Sequence, residues 1–417
     1  MYTVFMTPGK PKVLKRNNRK TILDLLRSSE TTTVADISKK VGLSKTTVMK
    51  ILEYYTNQKL ILKVGKGIST DEGGKKPVLF RFNSTYKYII AVHIFPSEVY
   101  AAIFDLRLNL LYDLSDRIFK NESPEIVVRK IKAIIEVLMD LTQINNERLA
   151  GIAVGTHGIT NFDSGTVSTS PHFPSWGENT PLRDMLIKSI SPDIPFFIDN
   201  QIRFQTFAEK NIGIGKNKRN IIVIEGGEGL VAGIMMNNEI HRGVHYLAGE
   251  IGHMILSPDD TTICSCGGTG CFEALISVKN VLERTKTEIK LHADSVLFQK
   301  DTDQNREISI ESIFSAAENG DQFARYILQD VLKWFSVGIS NIMLMYDPEI
   351  IIIQGIYSKA GEWFLNRLRT LSNACSLTRI EKNIEIQYSN LGKERGVLGG
   401  AAFVLSDYFS NEKLYDL

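Results

Sequence analysis

No apolar run in this 417-residue chain is long enough to cross a bilayer; Ile350-Ile351-Ile352-Ile353, one of the strongest, has only the length of a strand. The N-terminus lacks the apolar core of a secretory leader, so the sequence predicts a cytoplasmic protein with no membrane insertion. Cysteine is scarce, at four residues. An intracellular chain has little use for disulfides, so the cysteines it keeps ask for another role. Neither charge dominates either, with 49 Lys and Arg against 47 Asp and Glu. What is present is ordinary for a soluble globular protein, with 43% hydrophobic and 23% charged residues. The length suffices for two or three domains with substantial cores.

The near-neutral total conceals an asymmetry. Residues 1–82 hold 17 Lys and Arg against 6 Asp and Glu, a net of +11, and the remainder carries a net of −9. A basic head on an acidic body predicts a polyanionic partner for the head alone. A merely solvated lysine-rich surface is the plain alternative, so the pattern within the head decides. Asn17 to Ser28 reads as a helix with Ile22, Leu25 and Leu26 on one face, and Thr33 to Lys40 as a second, short helix capped by Thr33. After the turn Val41-Gly42-Leu43, Ser44 caps a third helix whose Val48, Ile51, Leu52 and Tyr55 form one stripe. Its first turn and outer face offer Lys45, Thr46, Thr47 and Lys50. Two strands follow, Leu60 to Val64 and Val78 to Phe82, around a glycine-rich basic tip with Lys66, Lys75 and Lys76. This is the pattern of a winged helix-turn-helix, with the first four residues expected in the major groove and the three lysines near phosphate or minor groove. A helical bundle for protein contact would not need this charge, and operator DNA is the expected partner.

Three of the four cysteines, Cys264, Cys266 and Cys271, fall within eight residues, among Gly267, Gly268 and Gly270. Thiolates and imidazole both suit zinc, and the glycines let the chain turn tightly enough for the sulfurs to converge. With His253 the set is Cys3His, which fills a tetrahedron and leaves no position for water, so one structural zinc per chain is expected. A reduced buried cluster or a disulfide would be the alternatives. Cys375 stands alone and reads as a small buried residue.

Beyond residue 88, strands such as Tyr88–His93, Val99–Phe104, Gly151–Val154, Ile221–Ile224 and Ile350–Ile353 alternate with helical stretches such as Pro124 to Leu141. The class is α/β.

The run Gly249-Glu250-Ile251-Gly252-His253, followed by Cys264-Ser265-Cys266-Gly267-Gly268-Thr269-Gly270-Cys271-Phe272-Glu273, resembles the ROK family of sugar-responsive repressors and sugar kinases. The resemblance covers residues 88–405 and implies an actin-like, two-lobed sugar-kinase fold, which the family's repressors join to an N-terminal winged helix. The expected domains are residues 1–85 for the DNA-binding head, 86–200 for a small α/β lobe to which 396–417 returns, and 201–395 for a large lobe with the zinc site. The resemblance also implies sugar-hydroxyl ligands at Glu250, His253 and Glu273. His172 stands where the family's Ser-Pro-Asn segment has Asn, and Asn200 and Gln201 match its Asn-Asp segment. A kinase needs a carboxylate to take the proton from the attacking hydroxyl, and the carboxamide of Gln201 has no usable basicity. Asp199 would be the base only if that register slips.

The phosphate loops are degraded as well. His93-Ile94-Phe95-Pro96-Ser97-Glu98 has no glycine, and Gly227-Glu228-Gly229 puts a carboxylate where phosphate would sit. The expectation is therefore a non-enzymatic, sugar-responsive transcriptional regulator, a repressor acting on an operator as a homodimer or dimer of dimers. The alternatives are an ATP-dependent sugar kinase with a DNA-binding head, and a regulator controlled by a protein partner.

Overall fold

A computed structural model describes residues 11–67, 76–227, 229–298, 307–374 and 384–415. Lys75, Glu228 and Cys375 lie outside these residues. The chain divides into two compact units. The first takes the described residues of Met1–Val154, Leu182–Phe197 and Ala401–Leu417, and the second takes those of Gly155–Pro181 and Ile198–Gly400.

The first unit begins with the head. Helix α1 (Pro11–Arg27) starts earlier than the expected Asn17, because proline at the first helical position has no needed amide and the Lys and Arg that follow favour helix. In α2 (Val34–Val41) Thr33 and Asp36 cap each other's backbone amides, and the helix ends at Gly42 with φ 69°. Ser44 caps α3 (Lys45–Asn57), whose Val48, Ile51, Leu52 and Tyr55 are buried. Strands β1 (Ile61–Lys66) and β2 (Val78–Phe82) pair antiparallel with a bulge before Gly65, and Thr32 bridges to Phe80. This is the winged helix-turn-helix that the sequence reads.

The remainder of this unit is built on the sheet β5-β4-β3-β6-β9. Its strands are β3 (Tyr88–Ile94), β4 (Glu98–Asp105), β5 (Leu110–Arg117), β6 (Leu149–Thr156) and β9 (Phe196–Asn200). Strands β3 to β5 run antiparallel; β3 and β4 are buried almost throughout, whereas β5 is an exposed edge. Helix α4 (Pro124–Thr142) covers β4 and β5 and buries Val127, Ile131, Ile135 and Leu138. The head groups with this sheet: the Arg107 guanidinium donates to Ser29 O (2.5 Å) and Leu106 N to Ser84 O (2.9 Å).

In the second unit the sheet order is β12-β11-β10-β13-β14. It is formed by β10 (Ile221–Gly226), β11 (Leu230–Met236), β12 (Glu239–Ile240), β13 (Ile350–Gly355) and β14 (Glu385–Tyr388), with β10 and β13 parallel. Strand alternation sends Ile222, Ile224, Ile351 and Ile353 into a core with α9 (Ile310–Glu318), α10 (Gln322–Tyr346) and α11 (Gly361–Ala374). Ile221, Val223, Ile350 and Ile352 face the other way, against Ile202 of α6 (Gln201–Asn211). Gly338 in α10 is a socket: a Cβ there would lie 2.2 Å from the Phe272 ring. The bare backbone lets Phe272 seat fully and so fixes the start of the short helix α7 (Phe272–Leu275).

The sequence reading assigns residues 155–181 to the small lobe, yet they cluster with the second unit. The reason is hydrogen bonding: Gly158 O accepts from Asn200 and Thr160 O from Arg203, both near the start of α6. Among the described residues no helix is long and apolar enough to cross a membrane.

Candidate metal centre and ligand site

The cysteine run folds as a knot of turns. Cys264 N donates to Gly268 O and Gly267 N returns to Cys264 O, while Gly270 O accepts from Leu256 N and Ser257 N. Gly270 has φ 69°, and a Cβ on it would lie 2.0 Å from Ser257 O, so glycine is required there. The knot brings together the ligand atoms of His253, Cys264, Cys266 and Cys271, all within 4.8 Å of one another. Bonds of about 2.3 Å to sulfur and about 2.0–2.1 Å to nitrogen, in a tetrahedron, put two sulfurs about 3.8 Å apart and sulfur and nitrogen about 3.5 Å apart. Cys266 Sγ and Cys271 Sγ are 3.8 Å apart, and His253 Nδ1 lies 3.6 Å from Cys264 Sγ. The donor set fits an ion of that size. Burial pushes the Cys271 thiol up to about 12, so an ion binding there must displace a proton.

The same knot positions carboxylates. Glu273, on α7, accepts from Leu230 N with one oxygen (3.0 Å) and from Ser265 Oγ with the other (2.8 Å). Glu250 lies within electrostatic reach of His253, Arg203 and Glu273. Burial raises its pKa, and Glu273 adds to the rise, although His253 and Arg203 pull the other way. With Nδ1 turned to the sulfurs, His253 keeps Nε2 for another partner.

The remaining expected sugar ligands belong to the same unit but have protein partners. Asn200 caps α6 by accepting from Ile202 N (3.0 Å) and donates to Gly158 O (2.8 Å). Gln201 donates to Glu225 (3.3 Å) and accepts from Gln205 (3.1 Å). Each carboxamide has one N–H beyond these bonds. The His172 ring meets that of His157 edge-on, centroids 4.8 Å apart. Burial, and then His172, hold the His157 pKa down at about 3.

Asp199, the candidate base under a shifted register, is fully buried. It accepts from Arg203 (2.7 Å), from Arg242 (2.8 and 2.9 Å) and from Asn200 N (2.8 Å). A carboxylate gripped by two guanidinium groups is poorly placed to take a sugar proton. Arg203 also donates to Thr160 O and to Tyr246 O, so it ties the start of α6 to the segment ahead of Glu250. Sequence reasoning missed Arg203, Arg242, Glu225 and His157. Only the i, i+4 spacing of Asp199 and Arg203 offered a signal.

Among the described residues, the first phosphate loop presents no cradle. Residues 93–98 form the tight β3–β4 connection, in which Phe95 N donates to Glu98 O (2.8 Å). In the second loop Gly227 N donates to Gly229 O (2.9 Å) and Leu230 N is taken by Glu273.

On the head, Lys45, Thr46, Lys50, Lys66 and Lys76 are exposed and Thr47 is half-buried. The hydroxyls of Thr46 and Thr47 both bond Ser44 Oγ, at 2.8 and 2.9 Å, so the lysines are the freer groups on this face.

Comparison with known proteins follows the same outline. The ROK family model matches residues 89–407. The xylose repressor of Caldicellulosiruptor bescii is 28% identical over 96% of this chain and 98% of its own length. The glucokinase of Halalkalibacterium halodurans is 31% identical over 64% of this chain and 79% of its own. Among solved structures, a ROK family transcriptional regulator described as a homologue of the E. coli MLC protein superposes with a TM-score of 0.78 at 23% identity, covering 96% of this chain and 98% of that one. At that identity the likeness is one of fold.

Proposed function

Since this chain belongs to the ROK family and carries a winged helix-turn-helix ahead of the family's body, we propose that it is a sugar-responsive transcriptional repressor. One observation carries the reading: the similarity to xylose repressors runs nearly end to end, whereas that to the glucokinase leaves out about a third of the chain. Xylose is accordingly the first effector to test. Gln201 without basicity, Asp199 held between arginines and a first loop without a phosphate cradle all support a body that binds sugar without phosphorylating it.

The ion suited to three thiolates and an imidazole is zinc, held by His253, Cys264, Cys266 and Cys271. When bound it supplies no open coordination position; it fixes the knot and the His253 tautomer. His253 Nε2, Glu250 and Glu273 then hold sugar hydroxyls, with spare N–H groups of Asn200 and Gln201 and the ring of His172 completing the set. A sugar changes operator affinity only by preferring one conformational state over the other. Lys45, Thr46, Thr47 and Lys50 are assigned to the major groove, with Lys66, Lys75 and Lys76 near phosphate or minor groove. Two copies on a two-fold operator supply the contact that one small head lacks.

The experiment is a fluorescence-anisotropy titration of the full chain with a duplex it selects from a random-sequence pool, in the presence and absence of D-xylose and related sugars. Sugar-dependent operator affinity is the expected result, and indifference to every sugar that binds would sink the reading. Glu250→Gln should weaken sugar binding about tenfold or more, given about 1.5–3 kcal/mol for a hydrogen bond to a charged group. Sugar-free operator binding should stay as in wild type, since Glu250 lies outside the head. Lys66→Ala with Lys76→Ala should lower operator affinity and flatten its salt dependence by about 0.9 in the log–log slope for each phosphate that the head no longer neutralises. An unchanged slope would show that these lysines stay off the phosphates.

A further inference from the structure

The head of this protein is completed from the far end of the chain. Helix α12 (Arg395–Ser410) runs into a short turn, Glu412–Leu414, and then Tyr415, which is 3% exposed. Each of three head elements grips this tail. From α1, Arg19 donates to Tyr415 O (2.9 Å), Arg27 lies over the Phe409 ring (3.8 Å) and Arg16 pairs with Glu412. From α3, the helix carrying Lys45 and Lys50, the Tyr54 hydroxyl donates to Leu414 O (3.4 Å) while its ring stacks under Arg19 (4.0 Å). From β2, Phe82 packs on Phe409, centroids 6.1 Å apart. Three arginines of the basic head are thereby turned to the tail, and partly buried cation–π contacts, here from Arg19 and Arg27, fix position as well as charge.

The other end of the same helix lies beside the candidate ligand site. Arg395, its first residue, pairs with one oxygen of Glu225 (3.1 Å), and the other oxygen accepts from Gln201 (3.3 Å). At Gly399 the helix backbone touches α6, since a Cβ there would lie 1.7 Å from Phe204 O. The helix up to Gly400 belongs to the second unit, and the rest of it with the tail to the first.

We propose that α12 and residues 411–415 form the transmitting element of this regulator, with Arg395 reading the Gln201–Glu225 end and Phe409 and Tyr415 setting the position of the recognition helix. The inference rests on the sugar-responsive reading given above. It goes beyond that reading by assigning the response to positioning residues that touch neither sugar nor DNA.

The test uses the full chain, D-xylose and the selected duplex. It compares wild type with Arg395→Met and with the double variant Phe409→Ala, Tyr415→Ala. Coupling between two ligands is ordinarily about 5–150-fold. For Arg395→Met, sugar-free operator affinity should match wild type, xylose affinity by calorimetry should stay within about twofold, and the ratio of operator affinities with and without xylose should fall at least about threefold. The double variant should bind xylose normally and bring that ratio to about one. Tyr415→Phe keeps the ring and should retain the wild-type ratio. A responsive wild type whose Arg395→Met variant responds equally well would overturn the inference alone. A wild type indifferent to sugar would overturn the functional reading beneath it. If the double variant fails to fold, the Arg395→Met result decides, because that position belongs to the other unit.

Discussion

Replacing Arg203 with methionine is expected to lower the free energy of unfolding by about 3–5 kcal/mol, the range for breaking a buried ion pair by removing one partner. The Asp199 carboxylate is fully shielded from solvent and the Arg203 side chain is 4% exposed, at 2.7 Å. Truncation leaves that carboxylate with the Asn200 amide and Arg242, whose side chain is 21% exposed and better hydrated. It also leaves Thr160 O and Tyr246 O without the donor they now share. The loss should appear in urea denaturation as a lower midpoint with an unchanged slope. Changing Asp199 to Leu together with Arg203 to Met removes both buried charges and should restore part of the stability. A cost within about 1 kcal/mol for the single variant, the value of an exposed pair, would mean that the pair is open to water in solution.

The second large effect concerns the metal. Removing the proposed zinc with a chelator, or changing Cys271 to Ser, should free the knot, and with it the Ser265 contact that holds Glu273. Binding of the proposed sugar effector should then fall by at least about tenfold, the equivalent of one lost hydrogen bond to a charged group, and more if Glu250 and His253 also shift. Amide exchange should accelerate through residues 257–271, while α10 should stay protected because Cys264 and Cys271 cluster apart from its core. The sign with pH follows from the thiols. Each ligand sulfur must lose its proton, and burial raises the pKa of Cys271, so metal affinity should weaken as pH falls. Glu273→Ala should by itself lower metal affinity about 10–100-fold, the usual cost of removing a partner behind the ligands. Metal content by elemental analysis decides both: stoichiometric zinc in Cys271→Ser would remove the proposed ligand set.

What could be read beforehand was local. Helices α2 and α3 announced themselves through Thr33, Asp36, Gly42 and Ser44, since caps and apolar spacing act within a single turn. The cysteines could be read because their ligand loop is short, so spacing alone nearly fixed convergence. Arg242 could not be paired with Asp199 in advance, being 43 residues away, and nothing in periodicity links Tyr415 with Arg19 across 396 residues. The basic excess of the head likewise gave its charge but not its direction: Arg19 is buried and grips the tail. Residues 155–181 went to the wrong neighbour for the same reason, because Asn200 and Arg203 hold them through backbone carbonyls that no side-chain pattern encodes.

Strand β5 carries a consequence for how this protein behaves when concentrated. It is the last strand of its sheet, and among the described residues no other strand pairs with its outer side. An open edge of eight residues is a template for any extended segment that meets it. Its second half, Asp113-Leu114-Ser115-Asp116-Arg117, is guarded by charge, and partially folded neighbours are repelled there. The first half, Leu110-Leu111-Tyr112, is apolar and exposed. Association through this edge would therefore begin at three residues at its mouth, far in sequence from the cysteine knot, and Leu111→Lys would extend the guard along its whole length.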